Sequence, residues 1–145
     1  MYASHGKTLI AVELRRLVND RAGGYCEYCK FPVKFALESM EIDHAFPISL
    51  GGKTVDNNLV FVCHGCNQHK QNRIEGMDLV SSSLAKIYHP RKMVWGKHFS
   101  WSQDTTLIVG KTATGRVTVQ ILKLNRSGLV NLRQVLERSG DHPPN

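Results

Sequence analysis

Four cysteines stand in two Cys-x-x-Cys pairs, and the chain has no others. The pairs are Cys26 with Cys29, and Cys63 with Cys66. Thiolates are soft donors, and four of them placed tetrahedrally make a closed structural Zn²⁺ site. Two redox-active dithiols are the alternative, but the flanking sequence lacks the strand-helix-strand pattern of a thioredoxin-like motif. The spacing therefore predicts one zinc ion that links two distant turns.

Beside the cysteines lie side chains that are suited to hydrolysis. Asp43 and His44 are adjacent at the end of a predicted strand, where side chains alternate between faces. A carboxylate is a hard donor that suits Mg²⁺ or Mn²⁺, and a neutral imidazole can take a proton from water. Asn67 directly follows the last cysteine and could give an amide oxygen to the same ion. Each residue alone is more often a turn or capping residue, so the prediction depends on their coexistence beside one zinc site.

The elements that must position these residues follow from the spacing of apolar and turn residues. Ile10, Leu14, Leu17 and Val18 share one face of a helix that Gly23 ends. In chain order we expect a helix over 9–22 capped by Thr8, a segment over 35–43 that is extended at its end, and a loop over 45–56. A buried strand over 59–62, a tight turn over 63–66 and a polar helix over 67–76 follow.

The last third of the chain has a different pattern. Phe99 and Trp101 alternate with polar residues, which predicts a strand over 97–102 that pairs with 106–109. We expect one helix over 115–124, and a second that runs from Leu129 through Leu136 and ends at Gly140. No internal repeat or long linker interrupts the chain. The pattern predicts a single domain over 1–145, with a core at about 26–76 and an extension at about 94–140.

Composition narrows the class of partner. The chain has 145 residues and a formal net charge of +7 at pH 7, and this basic surplus favours a polyanion such as nucleic acid. Met1 to Thr8 contains no apolar run of the signal-peptide type, and no stretch is long enough for a membrane helix. We therefore expect no membrane association and a cytoplasmic location, where thiols stay reduced and bind metal.

Several segments together resemble the signature of the HNH endonuclease family. They are Glu41-Ile42-Asp43-His44, Pro47-Ile48-Ser49-Leu50-Gly51-Gly52, Asn57-Asn58-Leu59-Val60 and Cys63-His64-Gly65-Cys66-Asn67-Gln68-His69-Lys70. The match covers about 26–73. It implies an α+β fold with a ββα-metal core, also called a His-Me finger. The zinc site would cross-link this core, and an N-terminal helix and a C-terminal hairpin with helices would flank it.

The resemblance also implies a role for each site residue. His44 would be the general base, Asn58 would hold the loop that orients it, and Asp43 with Asn67 would bind a catalytic Mg²⁺ or Mn²⁺. Asn67 stands where the family often has His, which makes this chain an H-N-N variant. Alternative or additional ligands are Glu41, His64 and His69.

The substrate implied by the resemblance is DNA, most simply double-stranded, cut with low sequence specificity. Phosphate contacts are expected from basic residues near the site, namely Lys70, Arg73, Lys53 and Arg91. One such site cuts one strand, so a double-strand break needs two events or a homodimer. The main alternative is a non-catalytic zinc-stabilised module that binds nucleic acid.

Overall fold

The computed structural model describes residues 10–144. Over this range the chain forms five α-helices and three two-stranded antiparallel sheets. In chain order the elements are α1 (Val12–Arg21), β1 (Glu41–His44), β2 (Leu59–Val62), α2 (His64–Lys70), β3 (Glu75–Asp78), β4 (Ser83–Lys86), α3 (Trp95–His98), β5 (Phe99–Trp101), β6 (Ile108–Gly110), α4 (Ala113–Ile121) and α5 (Ser127–Arg138). Helices and antiparallel hairpins without parallel crossovers confirm the predicted α+β class.

The β1–β2 hairpin and α2 form the predicted ββα core. Asp43 lies opposite Val60 and His44 lies opposite Leu59 in the antiparallel register. All four residues of β2 are buried. Only Cys63 separates β2 from α2, so the helix starts directly beside the strand pair. This arrangement places the end of β1 next to the helix that carries Asn67.

Alternate residues of β2 belong to two different apolar clusters, because successive side chains of a strand point to opposite faces. Val60 and Val62 belong to the larger cluster, which includes residues from α4 and α5. Leu59 and Phe61 belong to the smaller cluster, together with Val18 of α1. β2 is therefore covered on both sides, which explains why its sequence is continuously apolar.

The first helix is shorter than predicted. α1 runs from Val12 to Arg21, and the left-handed Gly23 (φ 65°) follows its end as expected. The predicted cap Thr8 and first residue Leu9 lie outside the described residues. Leu17 was predicted to face inward but is 43% exposed, so the buried face is narrower than the spacing suggested.

The region after β2 differs more from prediction. The helix begins at His64 rather than at Asn67, and Gln71 (φ 53°) follows its end. The next residues form the β3–β4 hairpin, where a polar helix was expected up to Gly76. Gly76 is needed in this strand because a Cβ there would lie 2.6 Å from Cδ1 of Ile121. Close packing of the hairpin on α4 thus overrides the local helical pattern.

The C-terminal third contains the predicted hairpin and two helices, but residues 97 and 98, which were expected in the strand, belong to α3. β5 and β6 pair as a hairpin, with Trp101 opposite Ile108. α4 starts after Thr112, whose Oγ1 accepts a hydrogen bond from the Gly115 amide at 3.0 Å. Among the described residues, no helix combines the length and apolar character that crossing a bilayer requires.

Candidate active site and zinc centre

The four cysteines meet at one buried point. Their Sγ atoms all lie within 4.8 Å of one another. The Sγ atoms of Cys29 and Cys63 are 3.7 Å apart. A disulfide would bring them to about 2.05 Å, whereas a sulfur tetrahedron around Zn²⁺ has an edge of about 3.8 Å for Zn–S bonds of about 2.3 Å. The geometry and the soft, buried donors therefore fit the predicted structural zinc ion.

Two tight turns bring the thiols together. In the first, the Lys30 amide donates to the Cys26 carbonyl at 2.9 Å, and Lys30 adopts a left-handed φ of 63°. In the second, Cys63 directly precedes α2 and Cys66 lies in the first turn of that helix. A zinc ion bound here closes a long loop, so its binding free energy would stabilise the fold.

Arg126, which directly precedes α5, lies against the sulfur atoms. Its Nη2 is 3.5 Å from Cys63 Sγ and 3.7 Å from Cys66 Sγ. Gly65 allows this approach, because a Cβ at that position would lie 2.5 Å from Arg126 Nη2. Four thiolates around Zn²⁺ have a net charge of about −2. The guanidinium offsets part of this charge and attaches the C-terminal region to the zinc centre.

One face of β1 lies against one face of α2. Glu41 and Asp43 share a face of the strand because they are two residues apart, and Asn67 and Lys70 share a face of the helix because they are three apart. The Asn67 Nδ2 donates to Glu41 Oε1 at 2.7 Å, and the Lys70 Nζ lies 2.9 Å from Asp43 Oδ2. The other Glu41 oxygen, Oε2, is 2.7 Å from His64 Nδ1. Asn67 is thereby fixed beside the carboxylate-bearing face of β1.

Asp43 is nearly enclosed, with a side chain 16% exposed. Its contact with Lys70 is an ion pair without hydrogen-bond alignment, and the buried Oδ2 has no hydrogen-bond partner among the described residues. Burial raises the pKa of Asp43 above its usual value, and the Lys70 ammonium opposes this shift by stabilising the charged form. A buried carboxylate oxygen without a hydrogen bond, on the strand face that Asn67 contacts through Glu41, fits a hard cation such as Mg²⁺ or Mn²⁺ if Lys70 moves aside.

His44 is half-buried, and strand alternation directs it away from the face that carries Asp43. Its Nε2 lies 2.8 Å from Oγ1 of Thr54. Burial lowers the pKa of His44, the nearby Asp43 charge opposes this shift and Lys70 adds to it. The net lowering favours a neutral imidazole at physiological pH, which is the form that can accept a proton.

Asn58 holds the loop between the two strands. Its Oδ1 accepts from the Phe46 amide at 2.8 Å, and its Nδ2 donates to the carbonyl oxygens of Phe46 and Lys53, each at 2.9 Å. Thr54, the partner of His44, directly follows Lys53 in this loop. These contacts allow the loop-holding role predicted for Asn58. Sequence reasoning missed Thr54, since no local signal distinguishes it from other loop threonines.

The predicted phosphate contacts separate into two groups. Arg73 and Lys53 are exposed, as expected. Lys70 and Arg91 require correction, because both are turned inward: Lys70 is 1% exposed and pairs with Asp43, and Arg91 pairs with Glu27. Burial also lowers the pKa of Arg91 to about 10. Neither of these two cations is placed to meet a phosphate at the surface.

A basic surface that the sequence did not reveal lies beside α2. Arg73 donates to the His69 carbonyl at 2.8 Å, and Lys123 and Arg126 come near from the segment between α4 and α5. The pKa of His69 is lowered by burial first, and then by the positive charges of Arg126, Lys123 and Arg73. Lys123 is far from α2 in the sequence, so only the fold brings it to this surface.

Comparison with known proteins agrees with this geometry. The HNH endonuclease family model matches residues 26–73. The Septu protein PtuA of Bacillus mycoides is 26% identical over 145 aligned residues, which cover 83% of this chain and 20% of that protein. The CRISPR-associated endonuclease Cas9 of Corynebacterium diphtheriae is 46% identical over 87 residues, which cover 59% of this chain and 8% of that protein.

The chain thus spans about a fifth of the first relative and less than a tenth of the second. The similarity is therefore to one module of much larger proteins. The family match begins at Cys26 and ends at Arg73, and so includes all four cysteines, both strands of the core hairpin and α2. Residues 26–73 of this chain are an HNH endonuclease domain.

Proposed function

We propose that the chain hydrolyses phosphodiester bonds of DNA with the help of a divalent metal ion. The single observation that supports the proposal is the packing of α2 on β1. Asn67 contacts Glu41 on the strand face that also carries Asp43, Lys70 of the same helix pairs with Asp43, and His44 lies at the end of the same strand. The HNH domain and the similarity to a protein named an endonuclease support the same conclusion.

His44 would act as the general base. If Thr54 Oγ1 accepts the hydrogen bond from Nε2, the His44 Nδ1 keeps its lone pair and can take a proton from water. The water oxygen would then bond to phosphorus as the P–O3′ bond breaks. This step gives a 5′-phosphate and a 3′-hydroxyl, with the leaving oxygen taking a proton from solvent.

Asp43 and Asn67 would hold the catalytic ion through a carboxylate and an amide oxygen. A bound Mg²⁺ or Mn²⁺ supplies positive charge that stabilises the transition state at the scissile phosphate. Lys70 must give up its contact with Asp43 when the ion binds. Asn58 would keep the loop in place, so that Thr54 stays in contact with His44.

Binding of DNA would depend mainly on phosphate contacts, in agreement with the formal net charge of +7. Lys53, Arg73 and Lys123 are the exposed candidates. Contacts of this kind carry no base information, so we propose low sequence specificity on double-stranded DNA. One site would nick one strand, and cleavage of both strands would require a second event or a second protomer.

One observation favours a second candidate function. The Lys70–Asp43 ion pair neutralises the carboxylate that a catalytic ion would need. If that pair never opens, the chain would be a zinc-stabilised module that binds nucleic acid without cutting it. This alternative accounts for the charge and the cysteines but assigns no role to His44.

The two candidates differ in one assay. Purified protein would be incubated with supercoiled plasmid, with Mg²⁺, with Mn²⁺ or without an added divalent ion, beside a His44→Ala variant. We expect open-circular DNA only with the ion and wild-type protein. His98→Ala is the matched control, because the His98 imidazole pairs with Thr112 and belongs to neither the β1–β2 hairpin nor α2. Plasmid binding without cutting under every condition would support the non-catalytic module.

A further inference from the structure

A cavity of about 350 Å³ lies outside the site that hydrolysis would use. Its described lining residues are Tyr25, Lys30, Trp95, Trp101 and Pro144. The chain has only two tryptophans, and both are in this wall. Binding pockets for small molecules start at about 300 Å³. The space is therefore large enough for one flat aromatic group.

The aromatic walls are held in place by the surrounding structure. The Trp95 indole N–H donates to the Tyr28 carbonyl at 3.0 Å. The ring of Trp101 meets the His142 ring edge-on, with centroids 4.5 Å apart. The two tryptophan centroids are 5.5 Å apart, with an angle of 40° between the planes. A ligand would find these rings already ordered, so little side-chain entropy is lost when it binds.

The charges around the cavity indicate what kind of aromatic ligand fits. The Lys30 Nζ is 5.4 Å from the centroid of Trp95, and the Arg133 guanidinium carbon is 5.3 Å from the centroid of Trp101. None of the described lining residues is acidic. Aromatic cages also bind quaternary ammonium groups, but the Lys30 ammonium in the cavity wall would repel such a ligand, and the buried Arg133 behind Trp101 adds to the positive charge. A planar π system that carries a negative charge is favoured instead, and a nucleobase with its phosphate has both properties.

We propose that this cavity binds an unpaired nucleobase of a DNA strand, with the base against Trp95 or Trp101 and its phosphate near Lys30. The inference rests on the proposed function, because it assumes that the polyanion bound by the chain is DNA. A base inside a duplex is stacked on both faces and cannot enter the cavity. The chain should therefore prefer DNA that offers a single-stranded segment.

The two tryptophans provide a direct test. The His44→Ala variant, which should not cut DNA, is titrated with a 12-residue oligothymidylate and with a duplex of equal length, without added divalent ions. Tryptophan emission reports occupancy of the cavity, and anisotropy of a labelled oligonucleotide reports total binding. We expect the single strand to quench the emission saturably, with a dissociation constant that matches the anisotropy. We expect the duplex to bind with little quenching.

Two variants and a control separate base stacking from general binding. Trp101→Ala should weaken single-strand binding by about five- to hundred-fold, the usual effect of losing one stacked base, and should leave duplex binding unchanged. Lys30→Gln should reduce the slope of log K against log salt for single-strand binding by about the amount expected for one lost phosphate contact. Phe35→Ala is the control, because Phe35 is partly exposed but does not line this cavity. Circular dichroism and zinc content would establish that each variant is folded.

The result could overturn the inference while the nuclease proposal stands. If the wild type nicks plasmid but saturating single strand leaves the emission unchanged, the cavity does not bind bases. Equal losses of single-strand affinity in the Trp101→Ala and Phe35→Ala variants would also exclude base binding in the cavity. If no DNA is cut under any condition and the single strand still quenches the emission, the base site survives and the nuclease proposal fails.

Discussion

The Lys70 ammonium lies 2.9 Å from Oδ2 of Asp43, inside the β1–α2 interface. Lys70 is almost completely buried, so its charge has no solvent to stabilise it and depends on this carboxylate. A divalent ion on Asp43 would leave two cations at one oxygen. Lys70 therefore competes with the metal ion for the Asp43 carboxylate. Without the ion, the Lys70 ammonium supplies the positive charge that stabilises this carboxylate.

Replacing Lys70 by Met should lower metal-free stability and strengthen metal binding. A buried carboxylate that loses its partner costs roughly 3 kcal/mol, which lowers the melting temperature. Added Mn²⁺ should then raise the melting temperature more in the Lys70→Met variant than in the wild type, because no ammonium opposes the ion. Thermal unfolding with and without Mn²⁺ measures both effects. Lys53→Met, at an exposed lysine, should show neither change, and an equal Mn²⁺ response in all three proteins would contradict the competition.

The hydrogen bond between Thr54 and His44 gives a second prediction. Thr54→Ala removes the oxygen that faces Nε2 of His44. The rate of plasmid nicking should fall roughly ten- to hundred-fold, because a misoriented imidazole is a less effective general base. Thr54→Ser keeps the hydroxyl and should retain most of the activity. The KM for DNA should change little, since Thr54 is not expected to contact the substrate. Initial rates at several plasmid concentrations separate the maximal nicking rate from KM. An equal loss of nicking rate in the Thr54→Ala and Thr54→Ser variants would assign Thr54 a packing role instead.

The sequence identified the parts of the fold that are determined by local pattern. The strand over 59–62 and the α5 segment show clear apolar patterns, and the Cys-x-x-Cys spacing specifies a metal site almost by itself. Packing between distant segments decided the rest. Gly76 lies in a strand because α4 approaches it closely, a contact that no local pattern reveals.

The candidate site shows the same limit. Asp43, His44, Asn58 and Asn67 were selected by type and resemblance, and their roles stay predictions. Lys70 was selected as a surface cation because lysine is usually exposed, and only the packing of α2 on β1 shows that it is internal. Side chains that support the site from elsewhere, such as Thr54 and Arg126, have no distinctive sequence context.

The contact between Arg126 and the thiols predicts a change in zinc affinity. Arg126→Ala should weaken zinc binding by roughly ten- to hundred-fold, as is usual when a group that supports metal ligands is lost. Gly65→Ala should act in the same direction, because the added Cβ would displace the guanidinium. This outcome is informative since alanine favours a helix over glycine by about 1 kcal/mol, so the substitution should otherwise stabilise α2.

Zinc transfer to a chromogenic chelator measures this affinity without any nuclease assay. Arg138→Ala, at an exposed arginine at the end of α5, is the matched control and should bind zinc like the wild type. If Gly65→Ala retains zinc as tightly as the wild type, the contact between guanidinium and sulfur contributes nothing to the site.

The separation of exposed from internal cations predicts how each affects DNA binding. In a non-cutting His44→Ala background, Arg73→Gln and Lys123→Gln should each weaken duplex binding and reduce the slope of log K against log salt by about 0.9, the value for one lost phosphate contact. Arg91→Gln should leave the slope unchanged and instead lower the melting temperature, because it breaks an internal pair with Glu27. Anisotropy titrations of a labelled duplex at four or more salt concentrations give the slopes. A reduced slope for Arg91→Gln, with normal slopes for Arg73→Gln and Lys123→Gln, would place the DNA on a different face of the molecule.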